Sequence, residues 1–203
     1  MNEYPVVVLS CSAGGLDALR TILAPLPADL PAAVVILQHL PPDPHSYLPE
    51  ILGRSTDLTV KWAQDGEPLR PGHVFVAPPG EHTLITPDET IALIASGSVP
   101  PYRPSADLLL TTLALAVGSR VVAVVLSGEG QDAATGATAV HRFGGTVIVS
   151  SPETSARKSM PGATMLRDSI TDHIVPLDDL AGLLLALTTA PLIEPGGGGH
   201  SPV

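Results

Sequence analysis

The sequence predicts an α/β fold: a doubly wound, mostly parallel sheet with helices on both faces and one antiparallel hairpin. Three observations carry that reading. The strongest apolar runs, residues 6–9, 32–37 and 120–126, are short, rich in Ala, Val and Ile, and free of apolar–polar alternation, as strands buried on both faces are. Segments with helical spacing separate such runs, so strands alternate with helices through most of the chain. Residues 82–86 and 90–94 flank Pro87-Asp88-Glu89 and read as a hairpin whose loop exceeds two residues.

Each element has a local reason. The first strand, residues 6–9, runs into a turn of small residues and then a helix whose Leu16, Leu19, Ile22 and Leu23 share one face. Pro25 and Pro27 end that helix, since proline cannot continue it. Residues 32–37 form the second strand, ending at Gln38 and His39, and Pro41, Pro42 and Pro44 follow as a stiff loop. A short helix over 46–53 stops at Gly53; residues 58–62 read as a strand and 64–67 as a turn. Another strand over 73–77 is closed by Pro78-Pro79-Gly80, and residues 96–104 form a Gly/Pro/Ser-rich loop. Ser105 caps a helix over 106–117, and Gly118 ends it. The strand at 120–126 leads into a glycine-bearing loop over 127–132, a helix over 133–143 and a strand over 146–149. Residues 161–167 read as a short helix, 174–175 as an extended piece and 177–188 as the final helix. The expected organisation is one domain over 1–190 and a disordered, Gly/Pro-rich tail over 191–203.

Composition narrows the function classes. A chain of 203 residues, 44% hydrophobic and 15% charged, can bury a sizeable core. The net charge of −10, with no lysine-rich run, argues against a nucleic-acid surface. Cys11 is the sole cysteine, which excludes an intramolecular disulfide. No segment reads as a signal peptide or is long enough for membrane insertion, so a cytoplasmic location is expected.

In an open α/β sheet, sites lie beyond the carboxyl ends of the strands. Three polar side chains fall there: Ser12 after the first strand, His39 after the second, and Asp132 beyond the strand ending at Leu126. A hydroxyl, an imidazole and a carboxylate are the parts of an acyl-transfer triad. Each also has a structural reading: Ser12 and Asp132 as helix N-caps, His39 as a loop histidine bonded to a carbonyl. The chain order Ser, His, Asp differs from those of α/β-hydrolases, chymotrypsin and subtilisin, and no G-x-S-x-G elbow surrounds Ser12. His45, His73, His82, His141, His173 and His200 lack ligand spacing with acidic partners, so neither a metal nor a cofactor is expected. A nucleotide-binding reading of the turn at Gly14-Gly15 lacks both G-x-G-x-x-G and a Walker lysine.

From about residue 6 to 184 the chain resembles the catalytic domain of CheB, the chemotaxis-receptor methylesterase family. Ser10-Cys11-Ser12-Ala13-Gly14-Gly15 is similar to the family's Gly-Ala-Ser-(Thr/Ala)-Gly-Gly nucleophile motif, and Gln38-His39-Leu40-Pro41 to its Gln-His-Met/Leu-Pro motif. Asp65-Gly66-Glu67, Pro71 through Pro78, and Arg103-Pro104-Ser105-Ala106-Asp107 match further segments in order. Leu126 through Ala134 resembles Leu-(Thr/Ser)-Gly-Met-Gly-x-Asp-Gly-Ala, and Thr154-Ser155 and Met160-Pro161 match a later segment. The resemblance implies a serine hydrolase with Ser12 as nucleophile, His39 as general base and then acid, and Asp132 as the orienting carboxylate. It implies backbone oxyanion donors at Ala13 and Glu129, no cofactor, and as partner methylated chemoreceptor signalling helices or a related protein substrate, with glutamine deamidation as a second activity.

The chain departs from the pattern at Ser10, Glu129 and Ala133, where the family has glycine, methionine and glycine. It opens at the catalytic strand, so neither a receiver domain nor switching by its own phosphorylation is expected. The alternative expectation is a catalytically impaired domain acting as a protein-binding or regulatory module. Glu129 is read either as turned inward, opposing an oxyanion, or as turned outward, biasing what docks.

Overall fold

The computed structural model describes residues 3–41, 46–96, 104–167 and 169–190. The expected tail over 191–203, His45, Arg103, His200 and part of both proline-bearing loops lie outside them.

Seven strands form one parallel sheet in the order β3-β4-β2-β1-β7-β8-β9. They are β1 (Val6–Cys11), β2 (Ala33–Gln38), β3 (Thr59–Trp62), β4 (His73–Val76), β7 (Val121–Val125), β8 (Thr146–Ser150) and β9 (His173–Val175). The hairpin of β5 (Glu81–Ile85) and β6 (Ile91–Ala95) is antiparallel, as predicted, but forms its own two-stranded sheet. It packs on α3 (Ala106–Val117), where Ile85 and Ile91 join the core.

The uniformly apolar strands follow from burial on both faces. In β1, Val6 and Val8 face a core closed by α3, α4 (Ala134–Arg142) and α5 (Ser159–Met165). Val7, Leu9 and Cys11 face the other core, closed by α1 (Gly15–Leu23), α2 (Leu48–Gly53) and α6 (Leu180–Thr189). The predicted boundaries shift by a few residues. β1 continues through Ser10 and Cys11 because both pair with β2; α5 starts at Ser159; and Leu177–Asp179 is a 3₁₀ turn ahead of α6.

Strand order decides where chemistry can sit. From β1 the chain winds to one side through β2, and later to the other side through β7 and β8. The carboxyl ends of β2, β1 and β7 therefore flank the reversal point, where an open α/β sheet leaves a crevice. Helices α1, α3 and α4 each precede a strand of the parallel sheet, so their N-termini lie along that same edge. The positive ends of their dipoles are gathered there.

Candidate active site

Ser12 follows β1 directly. Its N–H donates to the Ser127 carbonyl at 2.9 Å, tying the turn to the loop after β7. Gly14, at φ 77, occupies the N-cap of α1 without a side-chain cap, so Ser12 is not that helix's cap. Glycine is required there twice over: the backbone is left-handed, and an added Cβ would lie 2.7 Å from Ala156 Cβ and 2.9 Å from Ser127 Oγ.

His39 follows β2, and its N–H donates to the Cys11 carbonyl at 3.0 Å, extending the ladder of β1 and β2 by one step. That step puts His39 beside Ser12. Both line one cleft, of about 420 Å³, with Gly14, Gln38 and Leu40. The His39 ring meets Asp132, with Nε2 and Oδ2 2.8 Å apart. The hydrogen bonds of the described residues do not include a direct one between Ser12 Oγ and the ring; those two groups share the cleft.

Asp132 does not cap α4. Ala133, at φ 82, holds that cap position, in a left-handed conformation where the family pattern has glycine. The Asp132 carboxylate instead reaches the N-terminus of α3. Its Oδ2 accepts the Ala106 N–H at 2.6 Å, and its Oδ1 accepts the Asp107 N–H at 3.0 Å and the Ser105 hydroxyl at 3.2 Å. Burial, at 1% exposure, disfavours the charge, but the hydrogen bonds from His39, Ala106 and Asp107 outweigh it and hold the carboxyl below its ordinary range. An ionised Asp132 makes His39 Nε2 the protonated nitrogen, which donates to Oδ2. A proton taken up by this ring is then taken at Nδ1.

The Asp132 contacts at Ser105, Ala106 and Asp107 were not legible as function in the bare sequence; the signal for them was the matched segment 103–107. His82, dismissed as a metal ligand, supports the same place: its Nδ1 accepts the Ser105 N–H at 3.0 Å.

Ala13 follows Ser12 in the turn after β1, and Glu129 lies in the loop after β7. Among the described residues their backbone N–H groups donate no hydrogen bond. Gly128 brings the second donor close, since an added Cβ there would lie 3.0 Å from Ser12 Cβ and 2.2 Å from Met160 Sδ. The Glu129 side chain points outward: it is 64% exposed, with Oε1 3.6 Å from Arg157 Nε. Cys11, the neighbouring thiol, is buried in the core, and burial pushes its pKa far up. It is a packed thiol and not a thiolate.

The family model for CheB methylesterase matches residues 7–184. The chain belongs to the CheB methylesterase family. It is 35% identical over 92% of its length to a protein-glutamate methylesterase/protein-glutamine glutaminase of Myxococcus xanthus, covering 55% of that protein. A namesake from Moorella thermoacetica is 36% identical over 91% of this chain and 44% of its own length. The chain thus spans about half the length of the curated relatives it matches. The crystal structure of the Thermotoga maritima CheB methylesterase catalytic domain superposes with a TM-score of 0.86 at 33% identity, covering 92% of this chain and all of that one. The CheB catalytic fold expected from the motifs is therefore the fold observed.

Proposed function

We propose that this CheB-family domain is a serine hydrolase that cleaves glutamate methyl esters on chemoreceptor proteins, and deamidates glutamines there, in the cytoplasm. The observation that carries this reading is the pair of half-buried His39 and buried Asp132, 2.8 Å apart, opening onto the cleft that holds Ser12. The relatives' names, protein-glutamate methylesterase/protein-glutamine glutaminase, support the glutamate-ester and glutamine chemistry.

In the proposed reaction, Ser12 Oγ attacks the ester carbonyl while His39 takes its proton at Nδ1. Ala13 and Glu129 N–H groups donate to the oxygen as it becomes negative. Asp132 stays ionised and balances the imidazolium. The tetrahedral intermediate collapses, the Nδ1 proton passes to the departing methoxide, and methanol leaves an acyl-Ser12. Water, deprotonated by His39, attacks that acyl group and releases the glutamate carboxylate and the Ser12 hydroxyl. With glutamine, ammonia leaves in place of methanol.

Labelling with a fluorophosphonate, together with hydrolysis of a methylated receptor fragment, tests the assignment. Wild type and Cys11→Ala should label and turn over, and Ser12→Ala should do neither. A folded wild type that takes no label favours the binding-module reading. Activity that survives Ser12→Ala and is lost in Cys11→Ala makes the thiol the nucleophile.

A further inference from the structure

We propose that Ser127 is a positioning residue for the reaction at Ser12: its backbone and side chain together brace the peptide unit that carries the first oxyanion donor. The proposal rests on the serine-hydrolase reading above.

Ser127 is 3% exposed and lies between the two loops that flank the nucleophile. Its carbonyl accepts the Ser12 N–H at 2.9 Å. Its hydroxyl donates to the Ala13 carbonyl at 2.8 Å and accepts the Arg157 N–H at 2.9 Å. The amide of Arg157 can only donate, so the one hydroxyl proton is committed to Ala13 and the rotor has a single orientation. The peptide unit between Ser12 and Ala13, which bears the Ala13 N–H, is thereby held on both sides by one residue. The Ser12 carbonyl within it also accepts the Gly15 N–H at 2.9 Å.

The bracing matters because the Gly15 N–H to Ser12 carbonyl bond fixes one side of this turn and leaves the Ala13 carbonyl to Ser127. Gly14 follows Ala13 directly, and glycine restrains its own peptide least of all residues. Rotation of the backbone about the Ala13 Cα would swing its carbonyl away and, as the flanking units readjust, shift the Ala13 N–H off the position of the developing charge. The Ser127 hydroxyl opposes that rotation, and the missing Cβ of Gly14 gives it room to approach.

The same residue links the second donor to the first. Glu129 is two residues beyond Ser127, and the intervening Gly128 is fixed by its N–H to the Arg157 carbonyl at 3.2 Å and by its carbonyl to the Met160 N–H at 3.0 Å. Three loops, after β1, β7 and β8, therefore meet at one hydroxyl. Removing it loosens the spacing of the two N–H donors without touching the triad side chains.

The test compares wild type with Ser127→Ala and Ser127→Thr, the second keeping the hydroxyl. The readouts are kcat and KM for a methylated receptor fragment, affinity for an alkylboronic acid that forms a tetrahedral adduct on serine, and amide exchange at Arg157. Ser127→Ala should lower kcat by roughly 10- to 100-fold with KM within about twofold, because the donors act on the transition state. Boronate affinity should fall with kcat, and Arg157 exchange should quicken by at least about tenfold. Ser127→Thr should stay within about threefold of wild type on every readout. Losses that match only a reduced folded fraction, or a Ser127→Thr variant as impaired as Ser127→Ala, overturn the positioning role. So does an unimpaired Ser127→Ala in an active wild-type background. A wild type that neither hydrolyses the ester nor binds the boronate overturns the serine-hydrolase reading, and this proposal with it.

Discussion

Asp132 and Asp107 each serve the other's helix. Asp132, just ahead of α4, accepts the N–H of Asp107 in the first turn of α3 at 3.0 Å, while the Asp107 carboxylate accepts the N–H of Gly136 in α4 at 2.7 Å. An anion near a helix N-terminus is favoured by the unpaired N–H groups and by the dipole. The reciprocal arrangement locks α3 to α4 and leaves one edge of Asp132 for His39. Close helix contact permits it: a Cβ on Gly136 would lie 3.0 Å from Asp107 Cα.

Asp132 is thus asked both to orient His39 and to terminate a helix, and two substitutions separate those tasks. Asp132→Asn keeps the shape but removes the charge that balances the imidazolium, so kcat should fall by roughly 10²- to 10⁴-fold. Asp132→Ala should show a comparable kinetic loss and, in addition, lose about 1–3 kcal/mol of stability, because the buried N–H of Ala106 and the half-buried N–H of Asp107 go unpaired. Steady-state kinetics and urea denaturation of both variants check this; an Asp132→Ala protein as stable as wild type contradicts the capping role.

The two carboxylates also give opposite dependences of stability on pH. Burial raises the pKa of Asp132, but its hydrogen bonds lower it further, so the folded value lies below the unfolded one of about 3.9. Its contribution is complete above the unfolded value and is lost as the pH falls through the folded one. Burial raises the pKa of Asp107, reinforced by the charge of Asp132 and only partly offset by the N–H groups of α4. The folded form then takes up that proton first, so its unfavourable contribution, present at neutral pH, is relieved as the solution becomes acidic. Urea midpoints measured from neutral pH down to about 3 should show a flatter acid limb for Asp132→Asn and a steeper one for Asp107→Asn than for wild type.

Ser10 stands where the family pattern has glycine, on a strand buried on both faces. It is fully buried, and its Oγ has no hydrogen-bond partner among the described residues. A buried hydroxyl without a partner costs about 1–3 kcal/mol on mutational scales. Ser10→Ala removes the hydroxyl and leaves no larger a side chain, so it should raise the unfolding free energy by roughly 1 kcal/mol with kcat unchanged. A destabilised Ser10→Ala protein would mean that the hydroxyl is bonded in solution.

Glu129 contributes its backbone to the proposed oxyanion site while its carboxylate turns away to Arg157. Exposed pairs of this kind contribute about 0–1 kcal/mol. Glu129→Met should therefore change the hydrolysis rate by less than about fivefold at neutral pH, with the effect shrinking as salt is raised. A gain near a hundredfold would require the carboxylate to turn inward during the reaction.

The sequence by itself determined the elements and, to within a few residues, where they end. Valine-rich runs without alternation specified buried parallel strands, Ser105 and Gly118 bounded α3, and Ser12 and His39 followed from the rule that sites lie beyond strand carboxyl ends. Those readings depend on patterns local to a few residues, which period and capping chemistry encode directly. Only the tertiary structure decided who partners whom. Asp132 looks like the cap of the helix that follows it, yet it serves α3, 26 residues earlier, and His39, 93 residues earlier. Ser127 reads as an ordinary loop serine, yet it meets Ala13 across 114 residues. The direction of the Glu129 side chain was likewise open until Arg157 appeared beside it. Such contacts follow from the order of β2, β1 and β7 in the sheet and from the register that brings their ends level, and no local pattern in the chain carries that information.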